Sequence, residues 1–212
     1  MCAIVGSFDK DKLIELIKIN SYRGSHSFSF STYDQAGALK IHQRTIGVIN
    51  PSDIHIPEGS YGIVHIQAPT TTEKTMSSVH PAEQVHKGNT SYLWHNGIIK
   101  EAYTREMRVK LHSESKWDTM LMLSCIARYG WDSLDSMDGS FSCLMHKNGV
   151  LFLFRNEITP MFYDSDMNIS STKFENAVQT NANTVYMLDV HHRALEELHK
   201  FNTVENPYYF AV

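Results

Sequence analysis

The sequence reads as an α+β protein in which helices cover antiparallel sheets. Three observations predict this: strand-like segments at both ends of the sequence, two strong helical segments between them, and short polar turns joining neighbouring strands.

"CAIVGSF" is a strand of small and β-branched residues. "DKLIELIKIN" sets Leu13, Leu16 and Ile17 at helical spacing, with Asp9 or Asp11 as the cap. "SFSFSTY" alternates every second residue and pairs with "ALKIHQ" across the turn "DQAG", a hairpin. "INPSDIHIPEGS" is a loop of turn formers, and "YGIVHIQ" and "TSYLWH" are two further strands. "KEAYTREMRVKLH" and "WDTMLMLSCIARYG" are the two central helices. The second is expected to bury Met120, Leu123, Ile126 and Ala127 and to stop at Gly130. "SFSCLMHKNGVLFLFRN" is a hairpin about Asn148-Gly149, with the residue pair of a type I′ turn. "TVYMLDV" is a late strand. The expected division is a domain over residues 2–190 and a C-terminal extension of the same domain over 191–212, which opens on a solvated His191-His192 pair.

A length of 212 residues suits one generous domain with its own core. The 42% hydrophobic and 20% charged residues are globular composition. A net charge of -4 without a Lys/Arg cluster argues against nucleic acid as a partner. No apolar run reaches membrane length, and "DKDK" follows the first residues too soon for a signal peptide. Cys2, Cys125 and Cys143 show no C-x-x-C spacing, which points to a reducing, cytoplasmic location.

Several motifs fail on chemistry. "DSDMNISSTKFE" has acidic residues at calcium-loop offsets, but Ile169 stands where that loop needs glycine. The 12 histidines form no H-E-x-x-H or Cys/His pairing, so no metal is expected. There is no G-x-S-x-G elbow and no phosphate-binding glycine loop, and no cofactor is expected.

What remains is an ordered constellation. Cys2 stands second, and its small side chain favours removal of Met1, which would place a thiol and a free α-amine on one residue. Then come Arg23-Gly24 in "SYRGSHSF", the strand and polar loop "GIVHIQAPTTT", Asn96-Gly97 in "WHNGIIKE" between a strand and a helix, Asp118 at a helix start in "SKWDTML", and "MDGSFS" and "FRNEITPMFYD".

In that order the residues resemble the glutaminase domain of class II glutamine amidotransferases, members of the N-terminal nucleophile hydrolases. The likeness runs over roughly residues 2 to 190 and is most specific in "CAIVG" with "HNGII". It implies a four-layer αββα sandwich of two antiparallel sheets flanked by helices. It also implies a reaction in which ammonia is released from glutamine by an N-terminal cysteine. By that resemblance Cys2 is the nucleophile, its own α-amine the base, and the Asn96 amide with the Gly97 N–H the oxyanion hole. Arg23 braces the nucleophile's end of the site, Asp118 binds the substrate's α-ammonium, and Thr70 lies in the loop over the substrate.

The sequence departs from the family at one strand. Gln67 stands where the family carries an arginine for the α-carboxylate, and Ala68 follows where a bulky aromatic is common. A neutral amide does not replace a bidentate guanidinium. Arg44 in "IHQRTIG" is a candidate for the missing charge. Three readings follow: a stand-alone glutamine-hydrolysing enzyme or a subunit feeding ammonia to a separate synthase; the same chemistry on another γ-glutamyl or peptide-like amide; and a non-catalytic binding protein that keeps the fold.

Overall fold

The computed structural model describes residues 2–68, 76–190 and 192–204. Two antiparallel sheets lie face to face. The first is built on β1 (Ala3–Ser7), β2 (Ser27–Tyr33), β3 (Leu39–Ile46) and β4 (Tyr61–Gln67), with the short strands β9 (Phe162–Tyr163), β10 (Ile169–Ser170) and β11 (Val178–Gln179). Its order is β11-β9-β10-β1-β4-β2-β3, so β1 lies inside the sheet. The second sheet holds β5 (Ala82–His86), β6 (Asn89–Ile99), β7 (Gly139–Lys147), β8 (Val150–Arg155), β12 (Thr184–Asp189) and β13 (Ala194–Lys200), in the order β13-β12-β8-β7-β6-β5.

Three apolar clusters define four layers. Ala3, Val5, Phe28, Phe30, Val64 and Ile66 on the outer face of the first sheet meet Leu13, Leu16 and Ile17 of helix α1 (Lys10–Asn20). Ile4, Ile63, Trp94, Leu144 and Leu153 fill the space between the sheets. Leu93, Phe141, Cys143 and Met145 meet helices α2 (Glu101–Leu111) and α3 (Asp118–Tyr129) on the far side. Period-2 alternation therefore sends each strand's side chains into two different cores. Each large side chain so enclosed contributes roughly 1.5–3 kcal/mol.

Local chemistry sets the boundaries. The Asp9 carboxylate accepts the Lys12 N–H at 2.7 Å and caps α1, as expected of one of the two candidate residues. Asn148 and Gly149, at φ 52° and 76°, turn β7 into β8 as the sequence indicates. Three expectations change. β6 does not end before Asn96 but runs through Gly97 to Ile99, paired residue for residue with β7. In α3 the fully buried side chains include Leu121, Met122, Leu123, Cys125 and Ile126, whereas Met120 and Ala127 are only partly covered. The helix packs on both β5–β6 and α2, so its buried face is wider than a single stripe. Beyond residue 190, β13 pairs with β12 as an edge strand, and Phe201 stacks on Phe141 in the core. Among the described residues no helix is long and apolar enough to cross a membrane.

Candidate active site

Cys2 precedes β1, and the alternation that turns Ala3 outward and Ile4 inward leaves it at the end of the strand nearest β4's last residues. Its Sγ lies 3.6 Å from the Ala68 carbonyl, just past β4. Arg23 fixes the backbone here: Nη1 donates to the Cys2 carbonyl (3.2 Å), Nη2 to the Ser171 carbonyl (3.3 Å) and Nε to Thr172 Oγ1 (2.9 Å). Gly24 permits the close approach. A Cβ there would fall 2.5 Å from the Gln67 carbonyl carbon and 2.6 Å from the Ala68 nitrogen.

Burial pushes the Cys2 thiol above its ordinary value, and Asp118 adds to that rise. The Ala68 contact and the Arg23 charge act the other way but do not reverse it. Desolvation outweighs the guanidinium's pull on the thiol.

Asn96 joins this strand from the opposite sheet. Its Nδ2 donates to Ser171 Oγ at 3.3 Å and to Ser142 Oγ at 3.4 Å, and Ser171 Oγ in turn accepts the Ile4 N–H at 3.0 Å. One serine hydroxyl thus connects β1 to Asn96. Gly97, at φ 151°, admits no side chain: a Cβ would stand 1.9 Å from the Ser140 carbonyl oxygen.

Asp118 opens α3 and ties the helix to the end of β6. Its Oδ2 accepts the Ile99 N–H at 3.1 Å, and its Oδ1 accepts the Thr119 N–H at 2.8 Å. A carboxylate in the first turn is also favoured by the helix dipole. Both oxygens keep lone pairs for a further donor. Beside it opens a cleft of about 1020 Å³, with Ile98, Lys100, Thr104, Trp117 and Met120 among its walls.

Gln67 and Arg44 behave differently. The Gln67 amide is buried and occupied: Oε1 accepts from Ser27 Oγ (2.6 Å), Nε2 donates to the Ser78 carbonyl (3.2 Å), and His80 Nδ1 lies 3.4 Å from Oε1. Arg44 faces Glu83 at 3.8 Å, on the β5 edge of the second sheet, with its charge felt by His80 and Tyr92. Cys2, Arg23, Asn96, Gly97 and Asp118 thus gather around the ends of β1, β4 and β6. Arg44 sits on β3 against β5, and Thr70 lies outside the described residues.

The sequence reading missed the buried polar network beneath Asp118. His80 stacks on His65 with ring centroids 3.9 Å apart, and its Nε2 lies 3.2 Å from Thr119 Oγ1. His95 Nδ1 reaches the same hydroxyl at 3.1 Å and lies 4.0 Å from Asp118 Oδ2. His65 Nε2 donates to the His95 carbonyl at 3.1 Å. Separate elements supply these residues, so no local spacing marks them. Among the described residues no cluster of three His, Cys, Asp or Glu side chains could hold a metal ion. Asp164, from the calcium-like segment, spends its Oδ1 on the Asp166 and Asn168 N–H groups.

Burial drives the His65 pKa down to about 3 and that of His80 well below its ordinary value. Both are neutral when folded, while the unfolded state protonates them near pH ~6.5. Stability from these groups is therefore present above about pH 6.5 and lost as pH falls from there toward 3. Unfolding at pH 5 is expected to be easier than at pH 7 by about 2 kcal/mol for His65 alone. Urea titrations at the two pH values check this, and equal midpoints would contradict it.

No family model matches the sequence, and the search of curated proteins finds no match. Solved structures do match. Glutamine phosphoribosylpyrophosphate (PRPP) amidotransferase from B. subtilis, complexed with ADP and GMP, aligns over 93% of this protein with a TM-score of 0.70 and 13% identity. A structure of the allosteric regulatory enzyme of purine biosynthesis aligns over 95% of it with a TM-score of 0.72 and 15% identity. In both cases the alignment takes in 49% of the other protein, so the present sequence spans about half their length. The shared property is the fold, and it bears out the sandwich of two antiparallel sheets with outer helices.

Proposed function

We propose that this protein is an amidohydrolase of the glutamine amidotransferase type, releasing ammonia from a glutamine-like amide through Cys2. The observation that carries the reading is the stitching of nucleophile to oxyanion donor: Arg23 holds the Cys2 carbonyl, and Ser171 bonds both the Ile4 N–H and the Asn96 amide.

With Met1 removed, the α-amine of Cys2 takes the thiol proton, and the thiolate attacks the side-chain carbonyl carbon. The Asn96 amide and the Gly97 N–H receive the negative oxygen. The long Asn96 bonds, 3.3 and 3.4 Å, are ones a charged acceptor would replace at a gain. Collapse breaks the C–N bond, and the protonated α-amine gives its proton to the leaving ammonia. Water then cleaves the thioester to a carboxylate and the free thiol. A neutral, raised-pKa thiol in the resting state suits a mechanism that creates the thiolate only as the base removes its proton. Asp118 supplies the charge for the substrate's α-ammonium. A separate synthase subunit is a fitting acceptor for the ammonia.

A diazoketone analogue of glutamine tests the reading by peptide mapping. Label is expected on Cys2 and not on Cys125 or Cys143, which are buried with their thiol pKa values raised. Label chiefly on either buried thiol, or none at all, would count against the assignment.

A further inference from the structure

We infer that His95 is a positioning residue for substrate binding. With His80 and Thr119 it forms a hydrogen-bonded chain behind Asp118 that takes up one proton, and this proton competes with the substrate's α-ammonium for the Asp118 carboxylate. The inference rests on the amidohydrolase reading, in which Asp118 receives the α-ammonium, and adds the pH control of that contact.

Four contacts run in series through the chain. Gln67 Oε1 lies 3.4 Å from His80 Nδ1, and His80 Nε2 lies 3.2 Å from Thr119 Oγ1. That hydroxyl lies 3.1 Å from His95 Nδ1, and His95 Nε2 lies 3.4 Å from the Ser140 carbonyl oxygen. Both ends are oxygens that only accept. The Gln67 amide cannot turn round to donate, because its Nε2 faces the Ser78 carbonyl at 3.2 Å and a flip would set oxygen against oxygen. Two neutral imidazoles and one hydroxyl therefore bring three protons to four bonds. If His80 donates to Gln67, Thr119 donates to His80 and His95 to Thr119, and His95 Nε2 is left bare against Ser140. If His95 donates to Ser140 instead, His80 Nδ1 is left bare against Gln67. In each case a lone pair on a buried ring faces an oxygen, and these two contacts are the longest of the four. A fourth proton completes every bond.

The surroundings decide which ring holds it. His95 Nδ1 is 4.0 Å from Asp118 Oδ2, so a cation there has an anion beside it. His80 stacks on His65, and burial with the neighbouring His65, His95 and Arg44 charges drives its pKa well below the ordinary value. The other titratable groups around the pair bring His95 no second anion. His65 on β4 is held neutral by burial, and the Cys143 thiol, paired with His95 from β7, is pushed up by burial and by Asp118. Across the site the Cys2 thiol is raised as well, and Lys116 lines the same cleft as Asp118.

Asp118 Oδ2 already accepts the Ile99 N–H, so an imidazolium behind it and an ammonium from the cleft draw on one carboxylate charge. Binding the ammonium drives the proton off, and by reciprocity taking up the proton weakens binding. Affinity is therefore greatest at high pH and is lost as pH falls.

The test measures binding to Cys2→Ala protein, which turns nothing over, from about pH 7 to about pH 5.5, where imidazoles gain protons. The ligands are L-glutamine and glutaramate, which keeps the amide and the carboxylate and lacks the α-ammonium. The Kd of glutamine is expected to rise as pH falls, by up to about tenfold per pH unit, the limit for one proton, while that of glutaramate stays nearly level. His95→Gln, added to this protein, is expected to flatten the glutamine curve. Thr119→Val removes the hydroxyl that accepts from His95 and is expected to move the rise to lower pH, whereas Thr119→Ser leaves it in place. Because His95 is buried, the two-ligand comparison and the threonine pair decide the matter even if His95→Gln does not fold. Equal slopes for the two ligands, or a slope that survives His95→Gln, would overturn the inference, and so would glutamine that fails to bind at any pH. Ammonia release by the wild-type protein reports on the amidohydrolase separately: its absence would overturn that reading, and the binding curves would still decide this one.

Discussion

Cys2→Ala protein is expected to release no measurable ammonia from any amide, a loss of roughly 10⁴-fold or more. The argument is stoichiometric: without the sulfur no thioester forms, and no other described thiol reaches the site, because Cys125 and Cys143 lie in the helix-side core. The variant should stay folded. Among the described residues the thiol's hydrogen-bond contact is the long 3.6 Å approach to the Ala68 carbonyl, so little is lost from the native state. Protein that keeps Met1 is expected to be nearly as inactive with its thiol intact, since its peptide nitrogen cannot accept the proton. Intact mass measured beside an ammonia assay separates the two cases. Full activity in a preparation that retains Met1 would remove the α-amine from the mechanism.

Asn96→Ala is expected to lower kcat by roughly two to three orders of magnitude while leaving KM within a few-fold. The Asn96 amide bonds two serine hydroxyls at distances longer than the usual mode, so its ground-state contribution is modest. Its value would lie in the charge that develops later. Some stability is lost as well, about 1 kcal/mol for each bond broken, because Ser142 and Ser171 are buried. Thermal unfolding of the variant sets that part aside. A change confined to KM would make Asn96 a substrate-binding residue instead.

The elements with strong periodicity were legible from residues alone. The alternation in β2, the apolar spacing of α1 and the Asn148-Gly149 turn all have local causes, and the structure reproduces them. The end of β6 was not legible. Asn-Gly is ordinarily a turn, yet Gly97 stays in the ladder because β7 passes too close for any side chain. The short strands β9–β11 have no pattern of their own and exist by pairing with β1 and one another. The four-layer arrangement came from resemblance, and the matching solved structures share that fold. Positions 2, 23, 96, 97 and 118 could be named because their order along the sequence carries the resemblance to the amidotransferase family, while each residue type alone has an ordinary reading. Ser171, Thr119 and the three histidines could not. The hydrogen bonds that join Ser171 to Ile4, and the histidines to Thr119 and to one another, span from 24 to 167 residues of sequence, and such pairings are set by the packing of sheets.

The place of β1 between β4 and β10 also fixes a timetable. Cys2 leaves the ribosome long before the serine that links its strand to Asn96, which is made 167 residues after Ile4. Contacts so distant in sequence close slowly. For most of its synthesis, then, the nascent polypeptide holds Cys2 and Asn96 without the serine that joins their strands. Under the proposed mechanism, which needs a free α-amine on Cys2, that interval is when the residue is uncovered, before β4 and β10 enclose its strand. A polypeptide cut short before β10 lacks Ser171, and with it the hydrogen bonds that tie β1 to Asn96.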